Sequence, residues 1–198
     1  TCAAAVLPDN IIEFAAFGDS GEAATLANTM AVAALVKSLA PDFVLHLGDA
    51  NYPSGSPTTL HDNFTKHYSG FIPDNLYLAF GNHDLDSDNG QALIDLLTAQ
   101  GALNLNKRYY HFMKGPVELF VLNSGPYEPD GITAGSLQDL WLQSVLAVSS
   151  AEWKVAVFHK SPWSSDSAHT PGEVGMRWPS LDGVDLILSG HGHNYERL

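Results

Sequence analysis

The apolar runs of this chain break off, one after another, at the same few polar residues. Ile11 to Phe17 stops at Gly18-Asp19-Ser20-Gly21, Phe43 to Leu47 at Gly48-Asp49, and Leu76 to Phe80 at Gly81-Asn82-His83-Asp84. Trp153 to Phe158 stops at His159, and Val184 to Ser189 at Gly190-His191-Gly192-His193. Short apolar runs bounded by such turn residues read as strands. Between them lie segments with helical spacing: Glu22 to Leu39, with Val32, Leu35, Val36 and Leu39 on one stripe, a helix centred on Leu93 to Leu97, and Leu137 to Val148. Arg108 to Met113 and Val117 to Leu122 read as an antiparallel pair turned by Lys114-Gly115-Pro116. Strands alternating with helices predict an α/β domain, and in open α/β sheets the ligand crevice lies outside the carboxyl ends of the strands. The polar punctuation falls at those ends.

Asp19, Asp49, Asn82, His83, His159, His191 and His193 are therefore candidates for one site. Paired imidazoles at the end of a buried strand are costly unless a cation sits between them. Carboxylate, amide oxygen and imidazole are ligands for borderline and hard metals, and these residues are too many for one ion. Two ions sharing a bridging carboxylate, about 3.5–4 Å apart, would use them all.

Charge narrows the partner. The net charge of −13 argues against nucleic acid and anionic membrane, both of which require basic patches. An anionic substrate would have to find its positive charge in bound metal. Cys2 is the single cysteine, so there is no intrachain disulfide. A start at Thr1 and not at Met implies a leader or upstream segment that has been removed or left out. No apolar stretch reaches the ~18–20 residues of a membrane helix. Asn63-Phe64-Thr65 fits a glycosylation acceptor.

Gly18-Asp19-Ser20-Gly21, Gly48-Asp49-Ala50-Asn51-Tyr52, Gly81-Asn82-His83-Asp84, Val155-Ala156-Val157-Phe158-His159 and Gly190-His191-Gly192-His193 together resemble the blocks of the calcineurin-like metallophosphoesterases. They resemble more narrowly the purple acid phosphatases, because the first block is Asp-x-Gly and a tyrosine follows Asp49 by three residues. Arg108-Tyr109-Tyr110, Tyr127-Glu128-Pro129-Asp130-Gly131 and Met176-Arg177-Trp178-Pro179 look like bacterial members.

The resemblance implies a four-layer α/β/β/α sandwich of two mixed sheets, as a single domain over residues 1–198 that lacks the family's C-terminal strands. It implies Fe(III) on Asp19, Tyr52 and His193, a divalent iron, zinc or manganese on Asn82, His159 and His191, and Asp49 as the bridge. A hard trivalent ion suits phenolate and carboxylate, whereas imidazole and amide suit a divalent one. His83 would protonate the leaving alkoxide, and His169 resembles the family's substrate-contacting histidine. The expected activity is hydrolysis of phosphate monoesters at acidic to neutral pH, with phosphodiesterase activity as the nearest alternative. The partner is then a small phosphate ester, and the location secreted, periplasmic or cell-surface. The oligomeric state is left open.

A rival reading uses the same N-terminal block. Phe17-Gly18-Asp19-Ser20 also resembles the nucleophile block of GDSL or SGNH esterases, with Asp166-Ser167-Ala168-His169 as the Asp-x-x-His block. Ser20 would be nucleophile, His169 base and Asp166 its orienter. That leaves Asp49, Tyr52, His159, His191 and His193 without a role. A further rival is a module that binds metal or phosphate without turnover. Other residues carry plainer expectations: His46 and His111 as packed or hydrogen-bonded, and His61 and His67 as solvated in a polar helical insertion. Trp163 and Trp178 are read as pocket wall or packing, and Tyr195, Glu196 and Arg197 as residues orienting the last ligand.

Overall fold

The computed structural model describes residues 11–72, 74–99, 108–167, 169 and 178–197, which leaves Cys2, Met176 and Arg177 outside the described residues. Two sheets form its centre. The first has three parallel strands in the order β1 (Phe14–Phe17), β2 (Phe43–His46), β3 (Leu76–Leu78). The second has four, in the order β4 (Tyr110–Lys114), β5 (Val117–Val121), β6 (Trp153–Lys160), β7 (Leu186–Gly190). In it β4 runs antiparallel to β5, and the remaining pairs are parallel.

Strand alternation builds the layers. Val117, Leu119 and Val121 of β5 and Val155 and Val157 of β6 join the core between the sheets, with Phe43, Val44, Leu45, Leu76 and Leu78 of the first sheet. Phe120, Ala156 and Phe158 point the other way and pack with Leu142 of α5 (Leu137–Leu146), Trp178 and Leu181. The second sheet is thus covered on both faces, which explains the buried run of β5 and of the middle of β6, whereas the edge strand β4 alternates. On the first sheet, α1 (Leu26–Leu39) and α4 (Gln91–Ala99) contribute Ala33, Val36, Leu93, Ile94 and Leu97 to the core. The expected α/β/β/α sandwich is the fold observed. Among the described residues no helix is long and apolar enough to cross a membrane.

Two expectations change in detail. The buried face of α1 is Thr29, Ala33 and Val36, so of the predicted stripe only Val36 turns inward: Leu35 is 59% and Leu39 62% exposed, and Val32 is also exposed. Small side chains let the helix lie close to the sheet, and they keep the 3.6-residue period that the bulkier residues imitate. The polar insertion holds a short helix α2 (Pro57–Leu60), capped by Ser56, and a π-helical turn His61–Thr65. It is not simply solvated, for although His61 is exposed, His67 is buried and lies 3.0 Å from the Asp62 carbonyl. Asn63 is also buried, and its amide donates to Asn51 Oδ1 (3.0 Å) and the Tyr52 carbonyl (2.8 Å). This closes the acceptor sequence to glycosylation and ties the insertion to the loop that carries Tyr52. A further short helix, α3 (Asn82–Asp86), starts directly after Gly81.

Candidate metal centre

The loops after β1, β2 and β7 place their polar residues by unusual backbone geometry. Asp19 (φ 55°), Asp49 (φ 55°), His191 (φ 71°) and His193 (φ 48°) all adopt the left-handed conformation. Non-glycine residues rarely do so, and such strain concentrates at functional sites. Asp19 N–H donates to the Gly48 carbonyl (2.9 Å), and the His191 N–H donates to Asp19 Oδ2 (2.9 Å), so the three loops are tied together.

Their side chains converge. The Tyr52 hydroxyl lies 3.0 Å from Asp49 Oδ2, 3.2 Å from Asp19 Oδ1 and 3.3 Å from His193 Nε2. His193 Nε2 is itself 3.2 Å from Asp19 Oδ1. On the other side of Asp49, the His159 and His191 side chains each bring a ring nitrogen so that all three donor atoms lie within 4.8 Å of one another. His159 Nδ1 lies 2.8 Å from the Leu47 carbonyl, which fixes the proton there and turns the Nε2 lone pair into the pocket. That Nε2 is 3.2 Å from Asp49 Oδ2 without hydrogen-bond alignment. It and Asn82 Oδ1 are buried atoms with no hydrogen-bond partner among the described residues. Buried polar atoms are almost always satisfied, so the orphaned His159 Nε2 beside Asp49 calls for a ligand, and the orphaned Asn82 oxygen, on the residue before the His83 N–H that Asp49 accepts, is a further candidate donor.

The glycines of the motifs leave the room. A Cβ on Gly81 would stand 2.0 Å from Asp49 Oδ1, and one on Gly48 2.6 Å from His159 Nδ1. Gly48 also has φ 97°, open to glycine alone at little cost.

The electrostatics fit cations. Burial alone would raise the Asp49 carboxyl, but the neighbouring His159 imidazole and the His83 N–H hold it down at about 2. Burial, with the Asp49 and Asp19 charges, pushes the Tyr52 phenol far above its usual value. Only a multiply charged cation would reverse that. Burial and the His159 charge lower His191 to about 4, which leaves it as the neutral imidazole that binds metal. His159 is raised despite complete burial because Asp49 and Asp19 attract a proton to it, the place a cation would take. Carboxylate, phenol, amide oxygen and imidazole on two sides of one carboxylate make a donor set that fits two ions.

Two histidines flank this cluster. His83 Nδ1 lies 2.6 Å from the Pro53 carbonyl, its ring is 4.3 Å from that of Tyr52, and its N–H donates to Asp49 Oδ1 (2.9 Å). The His169 ring stacks on His193 (4.9 Å) and meets His191 edge-on (5.0 Å). Its Nδ1 is 2.9 Å from Asp166 Oδ2.

The esterase constellation is not assembled. Ser20 is buried and its Oγ lies 2.8 Å from His46 Nε2, not against His169. His46 Nδ1 has no hydrogen-bond partner among the described residues, so the Ser20–His46 pair lacks an orienting acid. His111 is held by Glu118 (2.6 Å), and Trp178 is buried, donating to the Ile132 carbonyl, so it is packing and not pocket wall.

Asp84 is the site residue that sequence reasoning passed over. Its Oδ1 accepts from Ala50 N–H (2.9 Å) and Asn51 N–H (3.1 Å), and its Oδ2 from Gly81 N–H (3.0 Å), which binds the second block to the third. An acidic residue three positions after a glycine, at a helix start, was the available signal. Burial and the Asp49 charge raise Asp84 to about 7.

The sequence matches the family described as calcineurin-like phosphoesterase over residues 12–195. The chain belongs to that family. Its relatives include tartrate-resistant acid phosphatase type 5 of Sus scrofa, 27% identical over 96% of this chain and 66% of that protein. An uncharacterised protein of Mycobacterium tuberculosis is 28% identical over 82% of this chain and 36% of its own length. The chain thus spans about a third of one relative and just under two thirds of the other. Among solved structures, a purple acid phosphatase from yellow lupin seeds superposes with a TM-score of 0.69 at 19% identity, over 91% of this chain and 37% of that one. A dimetal phosphatase from Danio rerio superposes with a TM-score of 0.65 at 16% identity, over 93% and 82%. This metallophosphoesterase domain carries its candidate metal cluster where the ends of its two sheets meet.

Proposed function

We propose that this calcineurin-like phosphoesterase hydrolyses phosphate monoesters, as an acid phosphatase of the purple type. Fe(III) would be held by Asp19, Tyr52 and His193, a divalent iron, zinc or manganese by Asn82, His159 and His191, and Asp49 would serve both. The observation that carries this reading is the convergence of the Tyr52 hydroxyl on Asp19, Asp49 and His193. Bound there, the ions would supply the positive charge for a phosphoryl group and the acidification of a water, which a chain of net charge −13 does not otherwise offer.

The residues of the chain do the rest. Asp49 and His159 are preset by backbone contacts, so they need little reorganisation. His83, with Nδ1–H donated to the Pro53 carbonyl, would give a proton from Nε2 to the departing alkoxide as the imidazolium. His169 faces the substrate from the rim beside His191 and His193. The substrate is a small phosphate ester, and a secreted, periplasmic or cell-surface location follows from the same reading.

Metal analysis with a visible spectrum tests it. The protein is expected to hold two ions and to show a tyrosinate-to-iron(III) band that vanishes in Tyr52→Phe. It is expected to cleave p-nitrophenyl phosphate faster than the bis-ester. Protein without metal, or a band indifferent to Tyr52→Phe, overturns the assignment, and faster cleavage of the bis-ester replaces monoester by diester.

A further inference from the structure

The loop after β6 and the tail after β7 close a circuit around His169. Glu196 Oε2 accepts from Ser164 Oγ (2.9 Å), and the Glu196 carboxylate takes the Ser165 N–H on both oxygens (2.8 and 3.1 Å). Ser164 Oγ in turn accepts from Asp166 N–H (3.0 Å), which fixes the backbone that carries the Asp166 carboxylate. Asp166 Oδ2 meets His169 Nδ1 at 2.9 Å, and the His169 ring returns to the tail by stacking on His193 and abutting His191. Each link joins one loop to the other or fixes the next side chain, so His169 is not a free surface histidine.

We infer that Asp166 and Glu196 are positioning residues, a two-carboxylate brace that fixes the ring of His169 over the His191 and His193 imidazoles. Asp166 sets its tautomer: with Nδ1–H donated to the carboxylate, any contact with a phosphate ester is made through Nε2. Glu196 acts one step further back. By pinning residues 164 and 165 to the tail, it keeps the distance between Asp166 and the Gly190-His191-Gly192-His193 loop constant. The Asp166 side chain is 16% exposed, which shields its bond to His169 from water. The Asp-x-x-His string that suggested an esterase thus has a use in a different chemistry. The inference rests on the proposed phosphatase function, since it needs a substrate above the two histidines.

The experiment compares wild type with Asp166→Asn, Glu196→Gln, His169→Ala and the double variant Asp166→Asn/His169→Ala, each loaded with metal. His169→Ala is expected to lower kcat/KM for p-nitrophenyl phosphate by about 10²-fold. Asp166→Asn should lower it about tenfold and Glu196→Gln about threefold, all with unchanged metal content. The double variant should be no worse than His169→Ala, and Asp166→Glu should recover part of the loss, because Asp166 acts only through His169. In metal-free protein, imidazole nitrogen NMR should find the His169 proton on Nδ1 and lose that preference in Asp166→Asn. A wild type that hydrolyses the ester with Asp166→Asn equally active, or losses that multiply in the double variant, overturns the brace alone. A wild type that binds metal but hydrolyses no phosphate ester overturns the proposed function and the role of His169 with it.

Discussion

The metal cluster has a deep half and a rim, and the sheets explain the difference. Asp49 follows β2 and His159 lies near the end of β6, each strand flanked by another on either side, and the two residues are 1% and 0% exposed. Asp19, His191 and His193 follow β1 and β7, which lie at the edges of their sheets, and the His193 side chain is 52% exposed. The deep residues are held by backbone groups: Leu47 carbonyl on His159, His83 N–H on Asp49, and the Asp84 carboxylate spanning Ala50, Asn51 and Gly81. At the rim, Asp19 keeps backbone partners in the Gly48 carbonyl and the His191 N–H, but the exposed histidines lean on other side chains, His193 on Tyr52 and Asp19, His169 on Asp166. Backbone partners move with the sheet, whereas side-chain partners can move alone. The deep half is therefore the rigid reference, and the rim is the part that substitutions can tune.

Removing a donor from each half sharpens that contrast most. Asp49→Ala takes away the carboxylate on which both sides of the cluster converge, and activity should fall by at least about 10³-fold, with loss of bound metal. His193→Ala removes an exposed donor whose neighbours Tyr52, Asp19 and Asp49 remain, and the loss should be about 10- to 100-fold. Metal content and kcat/KM on the two variants check this. Equal losses would break the distinction between reference and rim.

The second prediction separates the halves by pH. His46 lies behind Asp49, fully buried between Phe17 and Phe64, and burial, with the His159 charge, lowers it to about 3. A histidine that is neutral when folded and titrates near 6.5 when unfolded contributes stability that is present above that value and lost as pH falls toward 3. In metal-free protein this should cost about 2 kcal/mol between pH 8 and pH 5. His46→Gln should flatten that acid limb in denaturant titrations, while His169→Ala at the rim should leave its slope alone. Because Asp84, raised to about 7, gains stability over the same range, the readout is the difference between wild type and His46→Gln, and a difference that stays constant from pH 8 to pH 5 would show that His46 does not carry the penalty.

Much of this was legible in the sequence because the polar residues sit at strand ends, where a break in an apolar run marks both a fold boundary and a chemical group. The strand positions of β2, β5 and β6 followed from runs such as Phe43 to Leu47 and Val117 to Leu122. Residues from four strand ends meet in space by way of Tyr52 and Asp49, and the third strand end joins them through the His83 N–H on Asp49. What was not legible depended on which neighbour a side chain meets. The α1 stripe favoured bulk, yet the sheet accepts Thr29, Ala33 and Val36. His67 reads as solvated and Asn63 as a glycosylation acceptor in a polar segment, yet both are buried and Asn63 bonds the Tyr52 carbonyl. Asp166 and Glu196 are thirty residues apart, and only the return of β7 beside β6 brings them to the same loop.

The smallest expected effect tests a residue that belongs to neither half. Ser20 adjoins Asp19 in sequence, but its hydroxyl turns away to His46, and its carbonyl accepts from Thr29 Oγ1. Ser20→Ala removes one partner from the buried His46 Nε2 and should cost about 1–2 kcal/mol of stability, measured by chemical denaturation. With Asp19 still fixed by the Gly48 carbonyl and the His191 N–H, kcat/KM should stay within about threefold of wild type. A collapse of activity with metal content intact would mean that the hydroxyl takes part in the chemistry and would return Ser20 to the role of nucleophile. A collapse with metal lost would instead show that the Asp19 loop draws its geometry from the Ser20–His46 bond, so that even the edge-strand half of the cluster is set from within the core.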